Sequence, residues 1–184
     1  MVSGDLAQRL LDGEKIFWSG RPRQSLLFTS RDGLLIPFSL LWGGFVIFWE
    51  ASVLRGHAPT FFALWGIPFV LAGLYFIAGR FAVDAWMRGA TSYAVTNRRI
   101  LIHRAGPFPK FVAISLDRLP NATLVEGANG RGTIRFGEQT PRRARNGVSG
   151  WTPSLDPTPQ FLAIADARQV FDQVQRLMQA EDRP

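Results

Sequence analysis

Two adjacent arginines at a predicted turn, Arg98 and Arg99 in TSYAVTNRRILIHR (Thr91–Arg104), are the side chains here best suited to bind something, and what they suit is phosphate. A guanidinium is planar and presents paired donors that match phosphate oxygens. Arg142 and Arg143, with Arg145 close by, form a second cluster. Arg98, Arg99, Arg142 and Arg143 therefore make a candidate site for anionic lipid headgroups, each worth about 1 kcal/mol beside an anionic leaflet. The plainer reading of Arg98 and Arg99 is a solvated turn that also acts as a topology signal. Catalytic chemistry finds less to work with. The acidic residues Asp84, Asp117, Glu126, Glu138 and Asp156 are scattered and form no spaced pair with a His or Ser. Cysteine is absent, which excludes disulfides and thiol catalysis. With only His57 and His103, a histidine metal site is not expected. GANGRGT (Gly127–Thr133) lacks the Lys-Ser/Thr ending of a phosphate loop and reads as turn glycine. No catalytic residue, metal or cofactor is expected.

The elements that would position these arginines begin with two apolar runs. The chain has 184 residues and is 47 % hydrophobic, an ordinary fraction, but the large apolar side chains concentrate between Leu34 and Phe81. Gly33–Leu54 carries no charge before Glu50, and Pro59–Gly79 carries none. A bilayer core asks for about 20 apolar residues in a helix, so both runs read as spans. Only Arg55–Ala58 separates them, which forces an antiparallel hairpin. About 30 mostly polar residues precede the first run, unlike a signal peptide. Lys15, Arg21, Arg23 and Arg31 come before the spans and Arg80, Arg88, Arg98 and Arg99 after them, against Arg55 alone between. By the positive-inside rule both termini are expected in the cytoplasm. Ser39, Gly43 and Gly66 are small residues that let helices approach, within this hairpin or against a partner. No acidic residue or His lies mid-span, so no ion pathway is expected.

Beyond the spans the period changes to two. With Asn97-Arg98 as a two-residue turn, Val95 faces Ile100, Ala94 faces Leu101 and Tyr93 faces Ile102. Tyr93, Val95, Ile100 and Ile102 then share an apolar face. Asn97 suits the positive φ of a type I′ turn. Lys110–Leu116 is a further strand, Asn121–Gly127 and Gly132–Gly137 a second hairpin, Pro141–Pro159 a Pro/Gly-rich loop, and Gln160–Ile164 a last strand. Ala167, Val170, Phe171, Val174, Leu177 and Met178 line one face of a helix over 166–179, which Asp166 and Gln169 start as a capping-box-like pair. Lys15–Trp18 is strand-like and free to pair with this β region.

YAVTNRRILI (Tyr93–Ile102), GTIRFG (Gly132–Gly137) and FLAIADARQVFDQV (Phe161–Val174) resemble the bacterial PH-like (pleckstrin-homology-like) domain family of membrane proteins, as does GEKIFWSGRP (Gly13–Pro22). The long Pro141–Pro159 loop departs from that pattern. The resemblance implies a mainly β PH-like barrel or sandwich capped by a C-terminal helix, behind a two-helix anchor, with no catalytic residues to transfer. The expected organisation is a cytoplasmic segment 1–32 with a short strand, a transmembrane hairpin 33–80 and a cytoplasmic PH-like domain 81–184. The expected function is a non-enzymatic docking or assembly module at the inner leaflet of a bacterial cytoplasmic membrane. Anionic-lipid sensing through the basic hairpin and an accessory-subunit role through the spans are the alternatives. Expected partners are membrane lipid and a protein, with a homo-oligomer as a further option. Nucleic acid is not expected, because the aromatics lie mainly in the spans and no recognition motif is present.

Overall fold

The computed structural model describes residues 4–24, 28, 32–57, 59–106, 108–119, 121–127, 130–137 and 152–181. The chain divides into two compact units, Leu26–Asp84 and Met1–Ser25 with Ala85–Pro184. Residues on both sides of the hairpin thus belong to one unit.

The first unit is helical. After the short α1 (Gly4–Ala7) of the other unit, α2 (Asp32–Arg55) and α3 (Thr60–Leu74) are followed by a π-helical turn, Tyr75–Gly79, and by the start of α4 (Arg80–Gly89), whose residues from Ala85 onward belong to the other unit. Both α2 and the continuous run Thr60–Gly89 are long and apolar enough to cross a membrane. Their large side chains point outward, Leu41 being 76 % and Phe48 71 % exposed. Core helices of a soluble domain normally bury such groups. The second run is longer than Pro59–Gly79 because α4 is amphipathic rather than apolar and escapes a hydropathy reading. Glycine sets the approach of α2 to α3. A Cβ on Gly73 would lie 3.2 Å from the Gly43 Cα, and one on Gly66 would collide with the Glu50 carboxylate. Gly43 meeting Gly73 while Glu50 meets Gly66 is the pairing of antiparallel helices. Ser39, Gly43 and Gly66 are all buried within the hairpin. A buried ion pair joins Arg80 to Asp32 at 2.6 Å, and the Arg80 guanidinium lies 4.3 Å from the centre of the Phe81 ring.

The second unit is two antiparallel sheets and a helix. β1 (Ile16–Gly20), β2 (Thr91–Thr96), β3 (Arg99–Arg104) and β4 (Lys110–Ser115) form one sheet in that order. β5 (Ala122–Glu126), β6 (Gly132–Phe136) and β7 (Gln160–Ile164) form the other, followed by α5 (Ala167–Glu181). Tyr93 pairs with Ile102, Ala94 with Leu101 and Val95 with Ile100, the register read from the alternation. The shared face behaves as that register demands: Tyr93, Val95, Ile100 and Ile102 are buried with Ile134, Phe136, Phe161, Ile164, Val170 and Val174. Phe161 is at the centre, its ring 4.7 Å from Tyr93 and 4.8 Å from Phe136. α5 lies close on the second sheet because position 132 is glycine; a Cβ there would come within 2.9 Å of both the Ala167 Cβ and the Val125 carbonyl oxygen.

The opposite face of the first hairpin is also covered, which the alternation alone did not foresee. Ala94 and Leu101 are buried against Leu6 of α1 (Gly4–Ala7), with Leu10 and Ile16 alongside. β1 pairs antiparallel with β2, Gly20 opposite Tyr93. Two local expectations fail. Neither Asn97 nor Arg98 adopts positive φ, so the turn is not type I′. Asp166 has φ +50°, whereas an N-cap residue is normally extended, and so the helix does not open on the expected capping box.

Candidate functional site

The arginines at the hairpin tip have different fates. Arg98 is exposed. Arg99 donates from Nε to Glu14 Oε1 and from Nη2 to Glu14 Oε2, each at 2.9 Å, and Nη2 also reaches the Arg9 carbonyl. The Glu14 side chain is fully buried. Thr96 Oγ1 donates to Glu14 Oε1 at 2.7 Å and the Leu11 N–H to Oε2 at 2.7 Å. Thr96 Oγ1 in turn accepts from the Arg98 and Arg99 N–H groups, and this shapes the turn in place of a left-handed Asn97. Asn97 is tied to Lys15 twice, its N–H donating to the Lys15 carbonyl and its Oδ1 accepting from the Lys15 N–H. Burial alone would push the Glu14 carboxyl up, but the hydrogen bonds from Arg99, Leu11 and Thr96 and the Arg99 charge outweigh it and bring it down to about 2. The same pair holds Arg99 above its ordinary value, chiefly through the hydrogen bond to Glu14. Arg99 is therefore a clamp between the N-terminal segment and the hairpin, with its fork occupied. Arg142 and Arg143 lie outside the described residues.

A different group of cations surrounds a partly enclosed cavity of about 40 Å³ in the same unit. Arg88 from the end of α4, Arg104 from the end of β3 and Lys110 from the start of β4 line it, with Asp156 from the loop before β7. Thr91 and Gln160 add polar groups. Arg88 is 1 % and Arg104 9 % exposed. Arg104 donates from Nε to the Phe108 carbonyl at 2.9 Å and from Nη1 to the Ser154 carbonyl at 2.8 Å. Lys110 Nζ reaches the Pro157 carbonyl at 3.4 Å. Burial lowers Arg104, and lowers Lys110 too, where the Arg104 charge adds to the effect. Asp156 Oδ1 accepts the Thr158 N–H at 3.0 Å, a turn that shapes the loop. No local motif marks these cations, which come together from a helix end and two strands, with Asp156 from a loop beside them.

Among the described residues, no three His, Cys, Asp or Glu side chains gather as metal ligands. Comparison with known proteins finds no matching family model, no matching curated protein and no matching solved structure.

Proposed function

We propose that this chain is an integral protein of a bacterial cytoplasmic membrane, in which a two-helix hairpin anchors a PH-like β-domain that serves as a non-enzymatic docking or assembly module. The observation that carries the reading is where the hairpin enters the fold. β1 precedes it, β2 follows it, and the two strands pair. Both flanks of the hairpin therefore return to one folded unit, and a hairpin that crosses a membrane has both flanks on one side. The arginine and lysine bias of the flanks supports the cytoplasm as that side. A four-stranded and a three-stranded antiparallel sheet closed by a C-terminal helix support the PH-like reading alongside the sequence resemblance.

Two alternatives have weaker support. Headgroup binding at the hairpin tip loses the donors of Arg99 to Glu14. An accessory-subunit role through Ser39, Gly43 and Gly66 competes with their burial inside the hairpin itself. Docking is tested by crosslinking in native membranes, followed by capture of the tagged full chain. A stoichiometric protein partner that is lost when residues 85–184 are deleted supports the module. A preparation that carries only phospholipid contradicts it.

A further inference from the structure

We propose that the outer edge of β4 pairs with the same edge of a second copy of this chain, joining two four-stranded sheets into one continuous sheet. The inference rests on the assembly side of the proposed function and gives it a surface and a partner.

β4 is the last strand of its sheet. One bond fixes which way its backbone groups point: the Leu116 N–H donates to the Arg98 carbonyl at 3.0 Å, towards β3. Direction alternates along a strand, so Ile114, Val112 and Lys110 also turn their N–H and C=O groups to β3. Phe111, Ala113 and Ser115 turn theirs outward, where no strand among the described residues meets them. All three residues are exposed. Such an open row is a template for another strand, and folded proteins normally blunt it with a bulge, a proline or an outward charge. The other sheet edges are blunted. β1 is irregular between Ile16 and Trp18, and just beyond it the Arg23 N–H is tied to the Ala163 carbonyl at 3.3 Å. β7 is irregular where it faces Gly132 to Ile134. β5 ends on the exposed Glu126, 3.4 Å from Arg168. β4 keeps an unbroken register with β3 from Lys110 to Ser115. It contains no proline or glycine, and the amine of its one charged residue, Lys110, reaches back to the Pro157 carbonyl at 3.4 Å.

The edge also fits itself, and that selects a second copy as the occupant. Place Ala113, the smallest of the outward residues, on a two-fold axis between antiparallel strands. Phe111 then faces Ser115 of the second copy, Val112 faces Ile114 and Lys110 faces Leu116. The three outward residues make about six backbone hydrogen bonds, two for each facing pair. Moving the axis to Val112 sets Ser115 against Pro109, which has no N–H. Moving it to Ile114 sets Lys110 against Arg118, like charge against like. With the axis at Ala113 no like charges face each other. Val112 and Ile114 pack on the core yet stay partly exposed at the open edge. In the pair these β-branched side chains face one another across the new boundary.

The test uses the full chain, which has no cysteine of its own. Single-cysteine variants are oxidised in their membranes with copper phenanthroline. Facing residues of a hydrogen-bonded pair have Cα atoms about 5.5 Å apart, within reach of a disulfide. Ala113→Cys alone should give a disulfide-linked dimer. Phe111→Cys and Ser115→Cys should crosslink to each other when co-expressed. Neither should crosslink to itself, because each is offset from its own copy by four residues, about 14 Å. Ala113→Lys changes a position that is already exposed, so its circular dichroism should match that of the parent. It sets two lysines face to face in the pair, and the mass measured in mild detergent should fall from two chains to one. The proposal is overturned if Ala113→Cys remains a single chain on oxidation, or if Ala113→Lys and the parent have the same mass. It is equally overturned if Phe111→Cys and Ser115→Cys crosslink to themselves as readily as to each other. A single chain that still captures a different protein overturns the pairing and leaves docking in place. A crosslinked dimer that captures no other protein supports the pairing and counts against docking.

Discussion

Replacing Arg99 with alanine strands the Glu14 carboxylate inside the β unit, and the loss can be sized in two ways. The Glu14 side chain is fully buried, and Arg99 contributes both a charge and two hydrogen bonds. Breaking a buried pair by removing one partner costs about 3–5 kcal/mol. The proton linkage gives a second figure. Glu14 falls from its ordinary 4.5 to about 2, and at 1.36 kcal/mol per pH unit this is roughly 3 kcal/mol. Because the folded carboxyl is the stronger acid, that stability is present above pH 4.5 and is lost as the pH falls towards 2. For a unit of this size the melting temperature of Arg99→Ala should drop by about 10 °C. The assay is thermal unfolding of the full chain in detergent across this pH range, with hydrogen exchange read at residues 9–20. Arg99→Ala should speed exchange there and flatten the acid limb of the profile. Glu14→Leu combined with Arg99→Leu should lose less than the two single changes together. A melting temperature within 1–2 °C of the parent for Arg99→Ala, or an unchanged acid limb, would refute the reasoning.

Other substitutions probe the rest of the fold. Phe161→Ala removes the ring shared by Tyr93 and Phe136 and should cost about 3–5 kcal/mol in chemical unfolding. Gly132→Val forces α5 off the second sheet and should cost at least about 1–3 kcal/mol, read as faster amide exchange in α5. Gly73→Leu presses on the Gly43 backbone and should lengthen the α2–α3 distance in spin-label measurements, while Gly44→Leu, where a Cβ meets nothing, should leave it unchanged.

Much of the fold was legible because it is written in periodicity. The period-two alternation around Asn97-Arg98 carries the register of β2 with β3, and the 3.6-residue spacing from Ala167 carries α5. What escaped lies in contacts between distant residues. Glu14 has nothing in its neighbourhood to announce a partner 85 positions away, so the sequence leaves Arg99 as a solvated turn residue or a phosphate candidate rather than an internal clamp. Leu6 and Leu10 are too few to signal that they cover the outer face of the first hairpin. α4 extends the second apolar helix with amphipathic residues that lower hydropathy without breaking the helix. Arg88, Arg104 and Lys110 converge only once α4, β3 and β4 are in place.

Whether one hairpin holds one cytoplasmic β unit is tested most directly by single-cysteine labelling, since the chain contains no cysteine of its own. His57→Cys sits in the connection between α2 and α3, and Gln169→Cys is on the exposed side of α5. Cells expressing each variant are treated with a membrane-impermeant maleimide before and after permeabilisation. The account predicts that position 57 labels in intact cells and position 169 only once the membrane is opened. Labelling of position 169 in intact cells, or protection of position 57 until permeabilisation, would contradict it.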